Sequence, residues 1–149
     1  MINDETVDPM WYKELRDGSL VQGPEFSHPR LGMYSDGVVK ITTHGIDALA
    51  QGGMKGHTPI ELTEDWLLNE LQFIKKTFYN RDYYFHTDGG VWALRPGAVD
   101  GKWDFCFQVR PREFYAFPVW IKYVHHVQNL FYSLYGYELP IKRWLTVAN

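Results

Sequence analysis

The chain has a single cysteine, Cys106, so it has no internal disulfide to form and no second thiol for a CxxC pair or a zinc finger. A reducing, cytoplasmic setting is the simplest expectation. No apolar run approaches the roughly 18 to 20 residues that span a bilayer, and the acidic, polar start from Met1 to Asp8 lacks the basic and apolar regions of an export signal. A membrane partner is therefore not expected. A basic surplus is missing too: 15 Lys and Arg against 18 Asp and Glu leave a net charge of -3, which argues against bulk DNA or RNA as the main partner.

Catalytic signatures are equally scarce. No GxSxG occurs, and Cys106 sits mid-strand with nothing in the sequence to activate its thiol. The segment from Gly52 to Thr58 is glycine-rich, but it lacks the GK[ST] ending of a phosphate loop and reads as a loop. Acidic residues gather in the N-terminal lead and on the first expected helix, where they suit a solvated face better than a catalytic pair. No catalytic residue, metal ligand or cofactor is assigned on this basis.

What the chain does have is rings. Trp, Tyr and Phe make up 17% of its 149 residues, enough to fill a core and to stack on a planar ligand as well. Charge is uneven along the chain: residues 1–74 carry 5 basic and 12 acidic side chains, residues 75–149 carry 10 and 6. The second half is able to attract a small anion although the whole is acidic.

Length and composition fit one domain over residues 11–149, preceded by a lead over residues 1–10. From Trp11 to Gly56, the short apolar runs Leu20-Val21, Leu31 to Tyr34 and Val38 to Ile41 are separated by turn-forming steps, as in a small irregular β unit. Thr63 is a suitable N-cap for a short helix over about Glu64 to Leu71, after which Phe73 to Tyr79 suits either helix or strand. Tyr83 to Thr87 and Val91 to Arg95 flank a glycine turn as a hairpin. Trp103 to Arg110 alternates strictly, with Trp103, Phe105, Phe107 and Val109 on one face. Phe114 to Ile121 adds a strand that Pro118 restricts to an edge or a bulge. A final helix spans about Tyr123 to Tyr135 and closes at Gly136. Its core stripe is Val124, Val127, Phe131 and Leu134, and His125, Gln128, Tyr132 and Tyr135 form the stripe beside it. Leu139 to Trp144 is expected to return along the sheet. The expected class is α+β: a small β unit, a short central helix, an antiparallel meander and a longer C-terminal helix packed on the sheet.

Three blocks carry a family resemblance. They are Glu14-Leu15-Arg16-Asp17-Gly18, then Pro59-Ile60-Glu61-Leu62-Thr63-Glu64-Asp65-Trp66-Leu67-Leu68, and the run from Ile121 to Gly136 followed by Glu138-Leu139. In that order they resemble a family of short accessory proteins of Bacteroidota phages and mobile elements, whose pattern reads roughly ELRxGN, PIxLTEEWLLKFGF and YVHQLQNLYFALTGEEL. The chain departs from it at Ser19, at Leu71-Gln72-Phe73, and at His126, Ser133 and Tyr135. The resemblance implies a context of small proteins that bind and neutralise host factors, including nucleotide-signalled immunity. It implies no catalytic residue.

Two clusters remain. His125 and His126 are adjacent and project about 100° apart on a helix, so they are not expected to share an ion as residues at i and i+4 do. His125 and Gln128 are expected to bond nearby backbone instead. The second cluster is basic and aromatic. Arg95 ends one strand, Arg110 and Arg112 end the next, and Gln108 shares the face of Arg110; together with Tyr84, His86 and Trp92 they are the candidate binding residues. Guanidinium groups grip phosphates and rings stack on bases. The expected function is non-enzymatic sequestration of a host nucleotide-like ligand, with a homo-oligomer expected and docking to a host protein as the alternative.

Overall fold

The computed structural model describes residues 11–23, 38–51, 57–87, 90–99 and 101–142. The lead over residues 1–10, the run Leu31 to Tyr34, most of the Gly52 to Thr58 loop and the end of the expected return strand lie outside them. Internal contacts divide the chain into two units, one from Met1–Ile60 with Tyr123–Leu130, the other from Glu61–Lys122 with Phe131–Asn149.

In the first unit a 3-10 turn, Trp11–Glu14, leads into β1 (Leu20–Gln22), followed by β2 (Val38–Lys40), α1 (Thr43–Ala50) and β3 (Thr58–Pro59). The three strands are antiparallel in the order β2-β1-β3, with Val21 opposite both Val39 and Pro59. Gly18, at φ 96, makes the entry turn and donates its N–H to the Ile41 carbonyl at 2.8 Å. Trp11, Leu15, Val21, Val39 and Ile41 form the core, and Ile46 and Leu49 of α1 pack against it. Helix α1 falls where the sequence suggests irregular β structure. Thr42 caps it by accepting the Gly45 N–H at 3.2 Å, and its few apolar positions are too short a run to register as a helical period. The opening of α2 (Val124–Tyr135) completes this unit, its Val124 N–H bonded to the Ile60 carbonyl at 2.8 Å.

The second unit opens with a π-helical turn over Trp66–Glu70 rather than a full α-helix. Thr63 caps it as expected, accepting the Trp66 N–H at 3.2 Å, and the turn is widened by a bond from the Leu71 N–H to the Trp66 carbonyl at 2.9 Å. Gln72, at φ 58, breaks the helix, and the ambiguous segment that follows becomes a strand. Strands β4 (Ile74–Phe78), β5 (Arg81–Phe85), β6 (Trp92–Pro96), β7 (Trp103–Arg110) and β8 (Glu113–Ile121) make an antiparallel meander in chain order. Tyr84, Trp92, Leu94, Trp103 and Phe105 bury one sheet face. Onto that face come Phe131, 4.7 Å from the His86 ring, and Tyr135, whose hydroxyl accepts the Trp92 Nε1–H at 2.6 Å.

The fold is α+β, with an antiparallel meander, a short helix and a C-terminal helix. Two details of the C-terminal segment differ from expectation. Leu134 is exposed rather than part of the core stripe, and Leu139 and Ile141 are buried without joining a strand. Gly136, at φ 75, does close the helix, donating to the Tyr132 carbonyl at 2.8 Å. Among the described residues no helix is long and apolar enough to cross a membrane.

Candidate functional site

Pairing parity decides which candidate residues can meet. Tyr84 lies opposite Leu94, so Tyr84, Trp92 and Leu94 share one face, while Tyr83, Phe85, Ala93 and Arg95 share the other. Three of the expected binding residues are thereby placed with the core. Tyr84 is buried and donates its hydroxyl to Glu64; burial first, then this carboxylate, push its phenol well above the usual range. Trp92 is buried and its indole N–H is satisfied by Tyr135. His86 packs among Phe73, Trp92 and Phe131, and burial lowers its pKa, favouring the neutral ring.

The opposite face carries a different cluster. Tyr83, Phe85 and Ala93 are buried there, with Phe78 and Phe114 packed against them. Phe114 belongs to β8, three places along the sheet from β5, which on a flat sheet is a separation of about 14 Å. Yet its ring stacks on Tyr83 with centroids 4.2 Å apart and 23° between planes. The β7–β8 hairpin therefore curls over the sheet. Register shifts between Asp104 and Phe105 and between Gln108 and Arg110 accompany the bend, and the small, fully buried Ala93 and Cys106 lie beneath it. Burial pushes the Cys106 thiol up to about 11, so it is packed and inert.

The curl brings separated guanidiniums together. Arg81 and Arg95 line two hollows, one of about 540 Å³ that also takes in Asn80, Asp82, Pro96 and Asp104, and one of about 430 Å³ that also takes in Tyr79, Tyr83, Arg112, Glu113 and Phe114. Of the expected set, then, Arg95 and Arg112 meet in one concavity. Gln108 stands at its margin, accepting the Arg112 backbone N–H at 3.4 Å. Arg110 does not join them: its side chain is 78% exposed and faces Glu113 at 4.0 Å.

Charges in the hollows are unequal once pairs are counted off. Arg95 Nε sits 3.3 Å from Asp104 Oδ2 and its Nη1 donates to the Tyr83 hydroxyl at 3.4 Å. Asp82 accepts from Thr77 at 2.7 Å and faces Lys75 at 3.8 Å, and Glu113 faces Arg110. Arg81 and Arg112 have no carboxylate at ion-pair distance among the described residues. Two unanswered guanidiniums thus flank a stacked pair of rings, an arrangement that takes a small anion with a flat group. Arg81, Tyr79, Tyr83 and Phe114 are the residues that sequence reasoning missed. Parity alone placed Tyr83, not Tyr84, on the face of Arg95.

The histidine pair also departs from expectation. Gln128 does bond backbone, accepting the Leu20 N–H at 2.9 Å and donating to the Gly18 carbonyl at 3.1 Å. His125 is fully buried, but neither ring nitrogen has a hydrogen-bond partner. His126 folds back over the helix start, its Nδ1 accepting the Tyr123 N–H at 3.3 Å and its Nε2 against the Glu14 carboxylate. The two rings consequently lie 4.7 Å apart instead of diverging.

Compared with known proteins, the chain matches no family model, no curated sequence and no solved structure.

Proposed function

We propose that the protein binds a small nucleotide-like anion without transforming it, and that the curled face of the five-stranded sheet is where it does so. The observation that carries this reading is the convergence of Arg81, Arg95 and Arg112 around the Tyr83–Phe114 stack. Hollows of about 540 and 430 Å³ fall within the size of ordinary small-molecule sites. The paired Arg95 gives a fixed wall, and the unpaired Arg81 and Arg112 supply charge for a phosphate. In this reading the protein is an accessory factor of a phage or mobile element that sequesters a signalling nucleotide in the cytoplasm of the bacterial host.

Isothermal titration against cyclic oligonucleotides and ADP-ribose derivatives tests it. Saturable binding of at least one member is expected. Arg81→Ala and Arg112→Ala should each weaken it about tenfold or more, the effect of losing a charge-assisted hydrogen bond of about 1.5 kcal/mol or more. Absence of heat with every member would overturn the reading, and chromatographic appearance of a product would replace sequestration with turnover.

One observation favours a second reading, docking to a host protein. Strand β8 lies at the end of the sheet order, and its Tyr115, Phe117, Val119 and Trp120 are exposed. A stoichiometric protein partner recovered from host lysate, in place of a small molecule, would support that alternative.

A further inference from the structure

The first unit holds a group of side chains unrelated to the anion hollows. Glu14 ends the 3-10 turn, and its backbone is fastened to α2: the Asn129 Nδ2–H donates to the Glu14 carbonyl at 2.6 Å, and the Asn129 Oδ1 accepts from Arg16 Nε at 2.7 Å. A further bond from Arg16 Nη2 to the Gln128 carbonyl at 3.0 Å makes the junction rigid. These bonds hold the Glu14 carboxylate against His126 Nε2. His125 stands beside it, stacked on Tyr123 at 5.4 Å and tilted against Trp11 at 6.2 Å. Ligating atoms of Glu14, His125 and His126 all lie within 4.8 Å of one another.

We propose that Glu14, His125 and His126 bind one divalent transition-metal ion of the zinc class. Two observations carry this. The donor set, two imidazoles and a carboxylate, suits zinc rather than magnesium or calcium, with water as the fourth ligand of a tetrahedron. Independently, His125 is fully buried with both nitrogens unanswered. One turn on, the equally buried Gln128 has a partner for its oxygen and one for its amide nitrogen, so the gap at His125 belongs to that ring and not to its surroundings. An ion supplies the missing partner.

The geometry needs little adjustment. Ligands at about 2.0 to 2.1 Å from tetrahedral zinc stand roughly 3.3 to 3.4 Å apart, so the trio closes by side-chain rotation. When an ion takes His126 Nε2, the ring proton moves to Nδ1, and the long 3.3 Å bond from the Tyr123 N–H is the contact that yields. The helix start disfavours a cation, and the Glu14 charge offsets it. The Glu14 side chain is 43% exposed, which leaves the ion a way in from solvent.

The test uses untagged, chelator-stripped full chain titrated with Co²⁺ and then Zn²⁺, followed by calorimetry and visible absorption. One ion per chain is expected, with the intense absorption of tetrahedral Co²⁺ that Zn²⁺ abolishes. Glu14→Gln should weaken uptake at least tenfold, as should His126→Asn, while His44→Asn on exposed α1 leaves it unchanged. Far-ultraviolet dichroism confirms that each variant is folded. The Glu14→Gln variant carries the decision, since loss of the buried His125 risks the fold. No saturable uptake at micromolar metal, or equal uptake by Glu14→Gln, would overturn the proposal. Neither result bears on the anion hollows.

Discussion

Buried polar side chains are where single residues matter most in this chain. Gln128 is fully buried, and its amide joins two backbone groups of the loop and strand at Gly18 and Leu20. Replacing it with leucine keeps the volume roughly constant and strands both groups away from water. At about 1 to 3 kcal/mol for each unsatisfied buried group, Gln128→Leu should cost roughly 2 to 6 kcal/mol. Urea unfolding with an unchanged slope and a lower midpoint checks this. That Gln128 would face backbone was legible in the helix stripe it shares with His125, Tyr132 and Tyr135. That His125 would lack such a partner was not, because spacing assigns a residue to a face and says nothing of what lies opposite.

At the scale of elements, the hairpin tips hold the most information. Strands β4 and β5 are joined by Tyr79 and Asn80, both left-handed at φ 53 and φ 62, with Phe78 paired to Arg81. Such a two-residue turn suits the twist of the strands and favours Asn and Gly; a tyrosine there costs about 1 kcal/mol. Tyr79 is 80% exposed, so packing does not explain it, yet its ring lines the smaller hollow. Tyr79→Asn should therefore raise stability by roughly 0.5 to 1 kcal/mol in thermal unfolding while weakening anion binding in titration, a trade expected of a strained functional residue. Strand β7 was read to its exact limits from alternation alone, Trp103 to Arg110. The curl of β7–β8 was not readable, since register shifts depend on partner strands. Arg81 shares the face of Tyr83 on the strand next to Arg95, and only the curl brings Arg112 alongside the two.

For the molecule as a whole, the two edges of the meander are unlike. Strand β4 carries Lys75 and Lys76, charges that discourage pairing with another chain. Strand β8 has no charged residue from Phe114 to Ile121, and Trp120 is 60% exposed. An edge this apolar, interrupted only by Pro118, predicts concentration-dependent self-association. Val119→Lys should shift sedimentation toward the monomer without changing anion affinity, because Val119 lines neither hollow. Uneven charge along the chain, visible from counting alone, has its counterpart in the two unanswered arginines of the curled face.

The lone thiol at the centre of that curl has a practical consequence. Cys106 has no solvent exposure and its protonated form is favoured, so alkylating reagents should modify it only when the hairpin lifts away from the strands below. Its labelling rate is therefore a built-in clock for breathing of the meander, and a ligand that clamps the curl should slow that clock in proportion to its occupancy.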